Sequence, residues 1–184
     1  MARKQTITKE MIIDSALDLA KREGIEAVTA RKVAANAGCS TQPIFRVYKN
    51  MEELLAEVIG LAGDYFADFY ENSPRSCDTP FVDLGISYIN FARQEEKLFS
   101  LLFVSHYKKE VSTYEFINGG SKMYVLKELK KINGLPAQKA GSIFSNFWIF
   151  VHGLACMVLN GDFDLTDEEL KETLIRIYEA LKNS

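Results

Sequence analysis

The sequence has few of the residues from which catalytic and metal sites are built. It contains three cysteines and two histidines in 184 residues. Cys39, Cys77 and Cys156 are odd in number and far apart, which argues against a disulfide framework or a zinc site and suits a reducing cytoplasm. His106 and His152 are also far apart, and the chain has no nucleophile elbow and no glycine-rich phosphate loop. We therefore expect no enzyme activity, no metal and no cofactor.

Long apolar runs and strand patterns are also missing. No stretch approaches the ~18 uninterrupted apolar residues of a membrane helix, and the start of the chain, Met-Ala-Arg-Lys-Gln, is not a secretion signal. There are only four prolines, and no alternating pattern bounded by hairpin turns is present. A content of 47% hydrophobic and 26% charged residues is ordinary for a soluble globular protein. These features predict an all-α cytoplasmic protein.

The net charge of −3 is distributed unevenly along the chain. Residues 1–50 carry nine Lys or Arg and five Asp or Glu, a net charge of +4, whereas the rest of the chain carries 13 and 20, a net charge of −7. A basic N-terminal part on an acidic remainder confines non-specific attraction for nucleic acid to one end of the molecule.

The segment TARKVAANAGCSTQPIFRVYKN, which starts at Thr29, predicts two short helices joined by a tight turn. Thr29 is a good N-cap for a first helix over Ala30–Asn36. Gly38 can adopt the positive φ that follows a helix end. Ser40 can cap a second helix that has Pro43 in its first turn. Two helices joined by a glycine-containing turn form a helix-turn-helix, whose second helix enters the DNA major groove.

The same segment resembles the DNA-binding end of the TetR family of transcriptional regulators. The matching stretches are Thr29–Ala34, Ala37–Ser40 and Ile44–Leu54. The resemblance implies an all-α protein with an N-terminal three-helix helix-turn-helix DNA-binding domain in residues 1–50. A larger helical ligand-binding and dimerisation domain is expected to follow in residues 51–184.

This chain departs from the usual TetR pattern at three positions. Phe45, Val47 and Met51 stand where the family often has tyrosine, histidine and lysine, positions that often touch DNA phosphates in the family. Arg46 and Lys49 can compensate for the lost phosphate contacts. The departures also keep a second hypothesis open, in which the protein is a helical small-molecule sensor or scaffold that has lost DNA binding.

The second helix of the motif carries side chains suited to reading DNA. Gln42 can pair bidentately with adenine, Thr41 can bond to several bases, and Arg46 can reach guanine or a phosphate. Pro43 and Phe45 can touch thymine methyl groups. Each of these side chains can also be merely exposed. The full set of residues predicted to contact DNA is Thr29, Arg31, Ser40, Thr41, Gln42, Pro43, Phe45, Arg46, Tyr48 and Lys49.

A long helix is predicted to connect the two domains. Asn50 is a suitable N-cap, and an apolar stripe continues at helical spacing from Leu54 to Phe69. Such a helix leaves the small domain and enters the larger one, so it can transmit a rotation from one to the other.

The larger domain is rich in aromatic residues, as suits a mostly apolar ligand cavity with a few polar anchors. Trp148, His152 and the glycine that follows also resemble a motif found in the ligand-binding halves of some TetR branches. For any one of these side chains, ordinary core packing is the alternative. The predicted ligand-binding residues are Phe66, Tyr88, Phe91, Phe103, Tyr124, Trp148 and His152.

The C-terminal segment predicts two helices. The first, Ala137–Asn160, is apolar on more than one face, which indicates burial on more than one side. Thr166 is placed to cap the second. The resemblance implies that both helices pair with their copies in a homodimer. The predicted function is that of a repressor that binds a palindromic operator and is released by a small molecule. An activator of the same type is the alternative.

Overall fold

The computed structural model describes residues 7–77, 79–105, 107, 137–163 and 165–183. Within these residues every regular element is helical, as predicted. A 3₁₀ turn, Ile25–Ala27, follows the first helix, and a π-helical turn, Ser100–Val104, follows the sixth. The α-helices are α1 (Lys9–Glu23), α2 (Ala30–Asn36), α3 (Gln42–Val47), α4 (Met51–Asn72), α5 (Pro80–Gln94), α6 (Glu96–Phe99), α7 (Ala137–Leu159) and α8 (Asp167–Asn183).

The chain divides into two compact units. The first comprises Met1–Tyr65 and Lys97–Tyr107, and the second comprises Phe66–Glu96 and Lys108–Ser184. The division therefore falls inside α4 rather than after Asn50.

The core of the first unit is formed by the apolar faces of α1, α2 and α3. Thr8 caps α1 by accepting a hydrogen bond from the Met11 N–H at 3.3 Å. Gly24, with a φ of +89°, ends the helix and donates its N–H to Ala20 O at 3.1 Å. Ile12 on α1, Val33 on α2 and Ile44 on α3 are fully buried. This core holds α3 in place and leaves its other face open.

The first half of α4 is fastened to the same unit by polar contacts. Asn50 caps α4, because its Oδ1 accepts the Glu53 N–H at 2.9 Å, as predicted. Lys9 on α1 forms an ion pair with Glu57 at 2.8 Å. The Lys21 Nζ lies 3.9 Å from the ring centroid of Tyr65, a cation–π contact. These contacts tie α4 to α1 along its first four turns.

The second unit is organised around the packing of α5 against α7 and α8. The Phe81 ring lies 5.6 Å from the Phe144 ring, 6.3 Å from the Phe147 ring and 5.8 Å from the Tyr178 ring, measured between centroids. Gly85 lets α5 approach closely, because a Cβ there would lie 3.1–3.3 Å from side chains of α7 and α8. The four rings form the centre of the core.

The start of α8 is capped and fastened to α5. Thr166 and Glu169 form a capping box, in which the Glu169 N–H donates to Thr166 Oγ1 at 3.3 Å and the Thr166 N–H donates to Glu169 Oε2 at 3.0 Å. Arg93 on α5 donates to Asp167 Oδ1 at 3.0 Å and to Leu165 O at 2.6 Å. The predicted Thr166 cap is therefore present.

The most apolar helix, α7, contains a stretch that is long and apolar enough to cross a membrane. Gly141–Leu159 has a mean hydropathy of 1.7. Length and composition alone are weak evidence, because the core helix of a soluble protein passes the same test. Phe144, Phe147 and Val151 are buried within the unit. Only 33% of the stretch is buried, so packing within the unit accounts for one face of α7 and not for its whole composition.

Candidate nucleic-acid interface

The turn between α2 and α3 has the backbone geometry that the sequence predicted. Thr29 caps α2, because its Oγ1 accepts the Lys32 N–H at 3.4 Å. Gly38 has a φ of +67°, a left-handed conformation that glycine adopts without steric cost. The next N–H, of Cys39, donates to Ala34 O at 2.9 Å and closes the end of α2. The turn is therefore short and well bonded, which fixes the direction in which α3 leaves it.

The start of α3 differs from the prediction. Ser40 was expected to cap the helix, but the N-cap position is Thr41, and α3 begins at Gln42 with Pro43 in its first turn. A Ser40 cap would put Pro43 at the third helical position, where the cap needs an N–H that proline lacks. Thr41 has helical backbone angles and its side chain makes no cap bond. Both Ser40 and Thr41 are exposed.

The helix α3 has one buried face and one exposed face. Ile44 is fully buried against the rest of the first unit, and Pro43 and Val47 are half-buried. The exposed face, which we call the reading face, consists of Thr41, Gln42, Phe45 and Arg46. Thr41 and Phe45 lie one helical turn apart, as do Gln42 and Arg46, so the four side chains form one continuous surface.

Tyr48, which the sequence analysis placed among the DNA contacts, lies in the interior of the first unit. Its side chain is only 2% exposed, four residues after Ile44 and on the same face. Burial, together with the nearby Glu57 carboxylate, raises the pKa of Tyr48 well above its ordinary value. Its spacing of four residues from the apolar Ile44 could have indicated in the sequence that Tyr48 is buried. We therefore assign Tyr48 to the core rather than to the DNA contacts.

Exposed cations also occur on α2 and directly after α3. Arg31 on α2 and Lys49 after α3 are exposed, as is Thr29. Lys32 is exposed as well, but it forms an ion pair with Glu23 at 2.7 Å. Arg31 and Lys49 are therefore better placed than Lys32 to meet phosphate.

A network of hydrogen bonds between α1 and α2, which the sequence did not predict, supports α2. Arg22 pairs with Asp18 at 2.6 Å, and Asn36 donates both to Asp18 Oδ2 and to the Ser15 carbonyl oxygen at 3.1 Å. The Arg22 guanidinium, followed by the Asn36 amide, lowers the pKa of Asp18. Asp18 and Arg22 are four residues apart on α1, a spacing that was visible in the sequence, whereas their contact with Asn36 depends on the fold.

Comparison with known proteins identifies this arrangement. Residues 12–58, which span α1 to the first part of α4, match the family model "Bacterial regulatory proteins, tetR family". Residues 12–58 therefore carry the DNA-binding domain of the TetR family. No curated protein sequence matches the chain.

Solved structures of regulators, among them TetR-family proteins, share the fold over nearly the whole chain. A TetR-family transcriptional regulator from Streptomyces coelicolor is 20% identical, with a TM-score of 0.71 over 96% of this chain and 83% of that one. A TetR-family protein from Vibrio parahaemolyticus is 17% identical, with a TM-score of 0.64 and coverage of 94% and 97%. The fatty acid degradation regulator FadR from Bacillus halodurans is 16% identical, with a TM-score of 0.56 and coverage of 97% and 96%. At these identities the likeness concerns the fold alone.

In the second unit, five of the predicted ligand-binding residues form a continuous aromatic cluster. The Phe66 ring lies 5.9 Å from the Tyr88 ring and 5.0 Å from the Phe91 ring, between centroids. The Tyr88 ring lies 4.4 Å from that of Trp148, which stacks on His152 at 6.1 Å. Tyr88 and Phe91 are fully buried, while Phe66, Trp148 and His152 are half-buried.

His152 is the polar centre of this aromatic cluster. Its Nδ1 lies 2.9 Å from the Tyr88 hydroxyl, and its Nε2 lies 3.7 Å from the Cys156 Sγ. Burial raises the pKa of Tyr88 and of Cys156 and lowers that of His152, so all three groups are neutral at pH 7. Cys156 was not among the predicted residues, although it follows His152 by four residues, one helical turn.

The two remaining predicted ligand-binding residues are Phe103 and Tyr124. Phe103 belongs to the first unit, where its ring packs against Phe99 at 5.2 Å between centroids. Tyr124 lies outside the described residues. Within the part of the chain that the structure describes, no three His, Cys, Asp or Glu side chains come together as ligands for a metal.

Proposed function

We propose that the protein is a ligand-responsive transcriptional repressor that acts in the cytoplasm and binds a palindromic operator as a homodimer. The reading face of α3 is the observation that carries the proposal. Its side chains are exposed on a helix that a buried core and a bonded turn hold in place. In a helix-turn-helix this is the surface that enters the major groove.

Gln42 and Arg46 are the proposed principal base contacts. The Gln42 amide can donate to adenine N7 and accept from its N6 amino group, and Arg46 can donate to guanine O6 and N7 or to a phosphate. Thr41 can bond to either kind of base edge. Thr29, Arg31, Ser40 and Lys49 are exposed and are proposed to contact phosphates, which set the position of α3 without reading sequence. 

Replacing Gln42 with alanine should weaken operator binding by about 1–3 kcal/mol and relax the preference at one base position. The reason is that the bidentate contact with adenine is lost while α3 remains folded, since Gln42 is exposed. Affinities for the operator and its single-base variants, measured by fluorescence anisotropy, test this. Gln94→Ala, the same change at an exposed position in the second unit, is the matched control. An unchanged sequence preference in the Gln42 variant would remove it from base readout.

Replacing Lys49 with alanine should weaken binding to all DNA sequences alike. Each lost phosphate contact reduces the slope of log K against log salt by about 0.9, because fewer counterions are released. Titrations at several salt concentrations on operator and random duplex measure this slope. Lys182→Ala, at an exposed lysine near the end of α8, should leave it unchanged. A loss confined to the operator would instead make Lys49 a base contact.

Exposed apolar side chains on the C-terminal helices support the proposed dimer. Ile149 on α7 is 69% exposed, Met157 on the same helix is 44% exposed, and Ile175 on α8 is 36% exposed. Apolar side chains that are exposed together mark association surfaces, and we propose that these three share one. Two copies of α7 and α8 can form a four-helix interface around a two-fold axis. The two α3 helices then occupy successive major grooves about 34–36 Å apart, or at a related spacing.

The proposed effector site is the aromatic cluster of the second unit. Its rings offer apolar contact, and Tyr88 and His152 offer polar anchors. The proposed coupling element is α4, one continuous helix that belongs to the first unit as far as Tyr65 and to the second from Phe66 onward. A small molecule with higher affinity for one conformation of the second unit would move α4 and change the separation of the α3 helices, which releases DNA.

A further inference from the structure

One residue on the reading face is apolar. Phe45 is 51% exposed, between side chains that donate and accept hydrogen bonds. Thr41 and Gln42 lie one helical turn before it, and Arg46 follows it. The other large apolar side chains that are strongly exposed in the described part of the first unit, Val104 and Tyr107, lie outside α3. Phe45 is therefore at the centre of the proposed DNA-contacting surface.

The chemistry of the major groove limits what Phe45 can contact there. Base edges present nitrogen and oxygen acceptors and amino donors, and the C5-methyl of thymine is the apolar group among them. A phenylalanine ring makes no hydrogen bond to a phosphate oxygen, because it has no hydroxyl. Placing the ring against polar base edges would remove water from them without a compensating bond. Thymine is thus the base that an exposed phenylalanine favours.

The neighbours of Phe45 are consistent with this partner. Gln42 lies three residues earlier on the same face and is suited to adenine. In an A·T pair the thymine methyl lies beside the adenine edge in the same groove, so one pair or two adjacent pairs can satisfy both side chains. Arg46, by contrast, favours guanine or phosphate. Its contribution to binding affinity therefore does not depend on the thymine methyl group that Phe45 would contact.

We propose that Phe45 is a specificity-determining residue that selects thymine through its C5-methyl group. With Gln42 it makes the part of each operator half-site under the centre of α3 rich in A·T pairs. The inference rests on the proposed function, since it assumes that α3 binds DNA.

The test removes only the methyl group. A site is selected from a random duplex pool, and duplexes are then synthesised with uracil in place of thymine, one position at a time. Uracil keeps the hydrogen-bonding groups of thymine. Binding to the uracil duplex should be about fourfold weaker for each contacted methyl, which corresponds to ~0.8 kcal/mol per buried carbon. The effect should appear at one or two positions in each half-site, and thymines outside the half-sites serve as controls.

Variants of the protein connect the methyl to Phe45. Phe45→Ala should bind the thymine duplex more weakly than wild type and should no longer distinguish thymine from uracil, since the two changes remove the same contact. Phe45→Tyr keeps the ring and should keep the discrimination. The Arg46→Ala variant should lose affinity for both duplexes by the same factor, so the ratio of its affinities for the thymine and uracil duplexes should equal that of the wild type.

The outcomes separate the inference from the proposed function. If the wild-type protein binds a selected site but does not distinguish uracil from thymine at any position, the inference about Phe45 is wrong. The proposed function as a DNA-binding regulator is then still supported. The inference is also wrong if the Phe45→Ala variant has the same ratio of affinities for the thymine and uracil duplexes as the wild type. If folded protein selects no site, both proposals are wrong.

Discussion

Replacing Ile149 with glutamate is expected to convert the proposed dimer into a folded monomer and to lower operator affinity by roughly 10²–10⁴-fold. Ile149 is the most exposed large apolar side chain in the described residues, at 69%. A carboxylate there would be buried without a partner in the proposed four-helix interface, which is costly. The separated subunits would each bind one half-site without the gain in effective concentration that the dimer provides. Light scattering gives the oligomeric state, and anisotropy with the selected operator gives the affinity.

The control for this variant is Val104→Glu. Val104 is 48% exposed but belongs to the first unit, outside the proposed interface, so this variant should stay dimeric and bind normally. Circular dichroism should show an unchanged helical content for both variants. An Ile149→Glu protein that is dimeric and binds DNA like wild type would show that this face of α7 does not form the interface.

Replacing Phe147 with alanine should destabilise the second unit by about 3–5 kcal/mol. Phe147 is only 3% exposed, and its ring lies 6.3 Å from the Phe81 ring and 6.1 Å from the Tyr178 ring. Its removal leaves a cavity among α5, α7 and α8, because the surrounding helices can collapse only partly. Chemical denaturation followed by circular dichroism measures the free energy of unfolding.

Phe163→Ala is the matched control for this core variant. Phe163 is 39% exposed after the end of α7, so its loss should change the free energy of unfolding by no more than about 0.5 kcal/mol. A Phe147 variant that lost less than about 1 kcal/mol would contradict its place in the core. The pair also separates the two faces of α7, since Phe147 supports the fold whereas Ile149 is proposed to support the dimer.

Local features of the fold were predictable because their causes are close together in the sequence. Thr29, Asn50 and Thr166 cap helices with side chains that reach N–H groups only three residues away. Gly38 takes the left-handed conformation that a short turn requires. The composition of α7 predicted a helix buried on more than one side. One face is buried within the second unit, whereas Ile149 and Met157 are exposed, and their burial against a partner stays a prediction.

Contacts between distant residues were not predictable in the same way. Lys9 pairs with Glu57, and Lys21 lies over the Tyr65 ring, because α1 and α4 pack side by side. Over Glu96–Val104 the structure has a turn of α-helix followed by a π-helical turn. There the Ser105 N–H donates to Ser100 O at 2.7 Å. Such a choice between hydrogen-bond registers has no clear pattern in sequence.

The candidate site shows the same division between local and distant causes. The reading face followed from helical spacing, and the aromatic cluster brought together residues as far apart as Phe66 and His152. The sequence indicated their chemical type, but the fold decided that Phe103 lies in the other unit. Tyr48 is the instructive case, since its motif position suggested DNA contact while its burial gives it a structural role.

The most direct test of this account is the selection of bound fragments from a random pool of double-stranded DNA, with purified protein at moderate salt. We predict the recovery of an inverted repeat, with A·T pairs in each half-site and a spacing that places two α3 helices in successive major grooves. That site would then serve to screen small molecules for release. Failure to recover any site, from protein shown to be folded and dimeric, would contradict the account and favour a helical sensor that does not bind DNA.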